Sequence, residues 1–165
     1  MFIIAQLFGV LGFVFNFLST QKEEKNQILL YNGLANALSG IQYFFLGAYS
    51  GAVSTFIATG RNIVFSRFKK SVPLIILIIY LIIAIMFNIQ NVTSVITIIP
   101  IINICTYGIA ICQNNVKVIK IIVILNSILG LIYDACNLAI ASMCSQLFSL
   151  IGGIIGYTRS KKIKK

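Results

Sequence analysis

The strongest constraint on this chain is where its positive charge falls. Its 13 Lys and Arg residues cluster around every second gap between long apolar stretches and are absent from the gaps between. The stretches cover residues 1–18, 27–46, 49–66, 72–88, 92–112, 118–133 and 138–157. Lys22 and Lys25 follow the first, and Arg61, Arg67, Lys69 and Lys70 close the third. Lys117 and Lys120 stand between the fifth and sixth, and Arg159, Lys161, Lys162, Lys164 and Lys165 form the tail. The gaps near Ala48, Asn91 and Cys136 carry none. Cationic side chains are retained on the cytoplasmic side during insertion. Seven crossings are therefore expected, with the N-terminus outside and the C-terminus inside.

At 59% hydrophobic and 10% charged, the chain does not read as a soluble domain. A hydrocarbon core about 30 Å thick takes about 20 apolar residues at about 1.5 Å each. Seven such stretches leave no room for a soluble domain or long linker. The net charge of +10 would suggest nucleic acid in a soluble protein. Here it reads as a topology signal and as contact with lipid headgroups, so the expected partner is the bilayer and not nucleic acid. The first stretch lacks a basic leader and a small-residue cleavage site, and is expected to be a permanent span.

The fourth stretch opens at Ser71, Val72 and Pro73, and proline suits a first turn. It is nearly all Ile, Leu and Ala, with Tyr80 its interior polar group, and reads as lipid-exposed or as a linker. Pro100, inside the fifth stretch, is expected to kink it. The stretches on either side of the fourth can be superposed. Gln21 and Lys25 then align with Gln113 and Lys117, Asn36, Gly40 and Tyr43 with Asn126, Gly130 and Tyr133, and Phe56, Gly60 and Arg67 with Phe148, Gly152 and Arg159. Three-helix units separated by one helix enter the membrane in the same orientation, as parallel repeats about an axis along the membrane normal.

Polar residues line up along single faces of the stretches. Asn32, Asn36 and Tyr43 share one stripe, and Asn126, Gly130 and Tyr133 another. The third stretch offers Thr55, Thr59 and Asn62 beside Arg61, and the seventh offers Ser142, Gln146 and Ser149. Such side chains either hold helices together, at under about 2 kcal/mol each, or line a cavity. Asn36 and Asn126 hold matched places in the two units, where a cavity on the repeat axis would be lined. Arg61 either snorkels to the headgroups or faces that cavity and binds an anionic group or a carbonyl. Gly152 and Gly156 form a GxxxG, which permits close helix contact; a homo-oligomer is compatible with the sequence.

The chemistry the chain lacks is equally informative. There is no His, and Cys105, Cys112, Cys136 and Cys144 have no metal-ligand spacing, so no metal or other cofactor is expected. The only carboxylates are Glu23, Glu24 and Asp134, with Asp134 expected at the outer interface. No acid–base pair or activated nucleophile is evident, which argues against an enzyme. Without a carboxylate in mid-membrane, facilitated diffusion fits better than proton symport.

Gln21-Lys22, Asn36, the run Gly40-Ile41-Gln42-Tyr43-Phe44-Phe45-Leu46-Gly47-Ala48 and Gly60-Arg61-Asn62 resemble the YgjV family of bacterial inner-membrane proteins. The layout is similar to the SWEET and PQ-loop transporters and to the PnuC vitamin transporters. That likeness implies an all-α membrane fold of seven transmembrane helices, two parallel three-helix bundles joined by a linker helix (3-1-3). The bundles are expected over 1–70 and 91–160, the linker over 71–90, and a basic cytoplasmic tail over 161–165. The Pro-Gln pair of the PQ-loop group is absent from the first stretch, so the architecture carries over more than the sugar substrate does. The implied activity is passive movement of a small polar solute. Asn36 and Asn126 would bind it with Thr55 and Gln146, Tyr43 and Tyr133 would gate the outer mouth, and Arg61 would act at the inner end. The rival is a non-transporting accessory or scaffold subunit.

Overall fold

A backbone in hydrocarbon must satisfy its own hydrogen bonds, and long Ile, Leu and Ala runs do so as helices. The computed structural model describes residues 1–20, 25–68, 73–89, 94–112 and 116–162. Among these are seven α-helices and no strand: α1 (Phe2–Thr20), α2 (Lys25–Phe45), α3 (Tyr49–Ser66), α4 (Leu74–Ile89), α5 (Ile99–Cys112), α6 (Val116–Cys136) and α7 (Ile140–Lys162). Residues 163–165 of the expected tail and the basic residues Lys22, Lys69 and Lys70 lie outside the described residues.

The molecule buries several polar side chains and turns large apolar ones outward. Gln42, Asn62, Asn88 and Asp134 are completely buried, while Ile75, Ile78, Ile82, Met86 and Phe87 of α4 face outward. That inversion is stable where the surroundings are themselves apolar. By length and composition, among the described residues α1 alone holds a full apolar window, Phe2–Ser19, with mean hydropathy 2.0. Shorter apolar segments lie at Leu74–Ile89, Ile96–Ile109, Ile121–Cys136 and Ile140–Ile155.

Helices α1, α2 and α3 pack consecutively, as do α5, α6 and α7, and α4 rests on α3 and α5. The two sets meet where α1 lies beside α7 and α3 beside α5. Gln6 reaches Leu138 and Ala141, and ten residues on Asn16 reaches Ser145 and Ser149, so α1 and α7 run the same way. Ile99 packs against the cluster that holds Ala48 and Ala52, and Arg61 covers Tyr107, so α3 and α5 also run the same way.

The α2–α3 and α6–α7 turns repeat one another. Each passes through a left-handed residue, Gly47 at φ 75° and Leu138 at φ 53°. Each then closes with a buried alanine whose N–H donates back to the helix, Ala48 to Tyr43 O at 2.9 Å and Ala139 to Asp134 O at 3.0 Å. These are left-handed helix caps, for which Gly carries no steric cost and Leu does.

Two expectations are corrected here. Helix α4 is not exposed all round: Leu77, Tyr80, Ala84 and Asn88 form a buried stripe, packed into a core with Leu29, Ala58, Phe65 and Ile104. Asn88 accepts from Ser54 Oγ at 2.7 Å, so α4 is tied to α3 by a polar bond. Pro100 does not kink a long fifth helix either. The chain runs through a 3-10 turn, Ile96–Ile98, and α5 begins at Ile99, which puts Pro100 in the first turn, where no N–H is needed.

Candidate functional site

The two helix sets enclose a cavity of about 710 Å³. Its wall takes Asn36, Tyr43, Thr55 and Arg61 from α2 and α3, and Asn126, Tyr133 and Gln146 from α6 and α7. All the residues singled out in the sequence as solute contacts therefore border one space. Asn16, Ser39, Asn62, Asn103, Tyr107 and Ser149 border it too. The volume suits a small organic solute.

One end of the cavity is closed by hydrogen bonds between the helix sets. Tyr43 donates to Asp134 Oδ1 at 2.5 Å, and its ring meets that of Tyr133 edge-on, with centroids 5.7 Å apart. The Tyr133 hydroxyl accepts from the Gly51 N–H at 2.8 Å and lies 3.0 Å from Ser50 Oγ. It thus meets a donor in the first turn of α3, where backbone N–H groups have no helical partner. Gly51 makes that approach possible, because a Cβ there would lie 2.7 Å from the Tyr133 oxygen. Behind this layer Ser142 donates to Gln42 Oε1 at 2.6 Å, and Gln42 Nε2 donates to Gln6 at 3.2 Å.

At the far end, Arg61 is buried, with 4% of its surface exposed. Its Nε and Nη2 donate to Asn62 Oδ1 at 3.1 and 3.0 Å, and Nη1 donates to the Tyr80 hydroxyl at 3.3 Å. Its guanidinium carbon sits 4.8 Å from the centre of the Tyr107 ring and 5.5 Å from that of Tyr80. Tyr80 in turn donates to Ile104 O at 3.2 Å. Of the two alternatives open in the sequence, Arg61 takes the inward one.

The mid-cavity residues are not equivalent. Asn36 is half-buried and makes no hydrogen bond among the described residues. Asn126 donates to Asn103 O at 3.2 Å and accepts from Thr106 Oγ1 at 2.9 Å, so its amide also binds α6 to α5. Thr55 donates to carbonyls of its own helix, Gly51 O at 2.9 Å and Ala52 O at 3.0 Å. Gln146 lies against Gly130, where a Cβ would come within 2.7 Å of its amide nitrogen. The matched sequence positions of Asn36 and Asn126 thus do not carry matched bonding.

Asp134, expected at the outer end of the sixth helix, stands two residues from the end of α6 and is completely buried, with Oδ2 unpartnered. Tyr43 and Tyr133 are likewise buried, their rings packed against each other. Sequence reasoning missed Asn88, Asn103 and Tyr107; for the last two the signal was there, since Asn103, Thr106 and Tyr107 stand three and four residues apart on one face of the fifth stretch. Among the described residues no three metal-ligating side chains cluster.

An apolar exterior around a cavity with polar side chains on its wall marks the class, a helical bundle suited to apolar surroundings. The chain belongs to the Imp-YgjV family, described as bacterial inner membrane protein, which it matches over residues 3–164. No match is found among curated proteins or among solved structures. The protein is accordingly a bacterial inner-membrane protein, with the lipid bilayer as its surroundings.

Proposed function

We propose that the protein is a non-enzymatic, passive carrier for a small polar solute, built as two parallel three-helix bundles joined by α4. The observation that carries this reading is the cavity, about 710 Å³, to which α2 and α3 contribute Asn36, Thr55 and Arg61, and α6 and α7 contribute Asn126 and Gln146. The same-direction pairing of α1 with α7 and of α3 with α5 is what a repeat axis along the bundle would produce, since it maps one contact onto the other. In this arrangement the Tyr43–Tyr133 layer closes the outer end, and Arg61 stands toward the inner end. Asp134 is buried beside the cavity and not on its wall, which keeps proton coupling out of the proposal.

The test is uptake of labelled solutes into proteoliposomes. Uptake that saturates with concentration, needs no proton gradient and is lost in an Asn36→Leu, Asn126→Leu double variant supports the carrier. Unchanged uptake in that variant removes the proposed pocket. The second reading, a non-transporting accessory or scaffold subunit, draws support from the Asn126 amide, which bonds across the α5–α6 contact. It would be favoured if no solute of any charge class entered the vesicles.

A further inference from the structure

Arg61 brings a full positive charge into the bundle with no carboxylate against it among the described residues. Asp134, the acidic residue within the described helices, is bonded to Tyr43 at the other end of the cavity. A buried cation of this kind is retained where it pairs with something or where it serves a pathway. Asn62 Oδ1 and the Tyr80 hydroxyl offer dipoles, and the Tyr107 ring offers its negative face. None of them neutralises the charge.

The neighbouring amide points the same way. Asn62 is completely buried and borders the cavity. Its oxygen accepts two bonds from the guanidinium, which fixes the orientation of the amide and leaves Nδ2 directed elsewhere. That Nδ2 is buried and has no partner. A guanidinium carries five N–H donors, and three nitrogen-to-oxygen bonds leave donors over. The wall here therefore presents surplus donors and positive charge, and among the described residues it lacks an acceptor that carries negative charge.

We infer that the Arg61–Asn62 end of the cavity is a binding site for an anionic group, a carboxylate or phosphate, carried by the solute. This rests on the carrier reading and narrows it from polar solutes in general to anionic ones. A planar guanidinium with an adjacent amide N–H matches the two oxygens of a carboxylate or two of a phosphate. Tyr80, oriented by its bond to Ile104 O, holds the guanidinium in place, so Tyr80 is a positioning residue. The neutral part of the solute would extend toward Asn36, whose amide has no hydrogen bond among the described residues.

The test is thermal unfolding of the full chain in phosphatidylcholine nanodiscs with glycolate or inorganic phosphate, against neutral glycolamide and against sodium chloride at equal ionic strength. A ligand that binds only the folded state raises the midpoint in proportion to its occupancy. Glycolate or phosphate is expected to raise it in a saturable way, with no rise for glycolamide or chloride. Arg61→Gln should abolish the shift. Arg61→Lys, which keeps the charge and loses the fork, and Asn62→Leu should each weaken apparent affinity about tenfold or more; they carry the comparison if Arg61→Gln does not fold. Equal shifts for glycolate and glycolamide, no shift with either anion, or an undiminished shift in all three variants would overturn the assignment. Discs containing phosphatidylglycerol separate the source of the anion. Stabilisation by that lipid alone, without response to soluble anions, makes this a headgroup site and overturns the solute assignment. Anion binding without vesicle uptake sinks the carrier and leaves the site. Uptake that favours neutral solutes leaves the carrier and sinks the site.

Discussion

Tyr43 donates its hydroxyl hydrogen to Asp134 at 2.5 Å, joining α2 to α6 across a sequence separation of 91 residues. The carboxylate has no second partner, because Oδ2 is buried without one. Removing the tyrosine hydroxyl would leave the carboxyl with no hydrogen bond at all. Tyr43→Phe should therefore destabilise the protein by about 2–3 kcal/mol. Tyr43→Phe combined with Asp134→Leu should recover part of that loss. A double-mutant cycle on the unfolding midpoint measures the coupling, and simple additivity would show that the bond contributes nothing.

The Gly51–Tyr133 contact gives a second test. Gly51→Ala places a methyl 2.7 Å from the phenolic oxygen and 2.8 Å from a ring carbon. Tyr133 must move and lose its bond to the Gly51 N–H. A loss of about 1–3 kcal/mol is expected, together with faster backbone amide exchange in the first turn of α3.

Leu138 stores strain that its counterpart Gly47 does not. It stands at φ 53° with its side chain 66% exposed, so little packing compensates the unfavourable backbone. Leu138→Gly should raise stability by about 1 kcal/mol, and Gly47→Leu should lower it by a similar amount. Differential scanning of the two variants side by side checks both signs.

Asn36 and Asn126 should separate by stability. Asn126→Leu breaks the bonds to Asn103 and Thr106 and should cost about 1 kcal/mol. Asn36→Leu breaks no hydrogen bond among the described residues and should leave the unfolding midpoint unchanged. Equal losses would mean that Asn36 also acts as helix glue.

Orientation is tested by labelling. In a cysteine-free background, Tyr49→Cys, on the exposed first turn of α3, should react with an impermeant maleimide in intact spheroplasts. Lys164→Cys should react only after permeabilisation. The reverse pattern would invert the carrier, and labelling of both from outside would refute the odd number of crossings.

Much of the candidate site could be read before folding, because polar residues in an apolar helix stand out and their spacing places them on one face. Asn36, Tyr43, Thr55, Arg61, Asn126, Tyr133 and Gln146 all reach the same cavity for that reason. What those residues bond to was not legible. Asp134 could be placed at the end of its apolar run, and it does stand in the last turn of α6, but its burial against Tyr43 of α2 could not be read from the sequence. Asn88 ends its apolar run, where nothing in the spacing says that it turns inward to Ser54.

The sequence by itself determined that the chain forms apolar helices, about how many there are and which of their faces are polar. Helix formation in hydrocarbon is a local matter, decided by backbone hydrogen bonds within each segment. Which polar face meets which neighbour, that Arg61 turns inward beside Asn62, and that Tyr43 finds Asp134 were decided only by tertiary packing. Such pairings depend on contacts between helices far apart in the chain, and residue spacing within one helix carries no information about them.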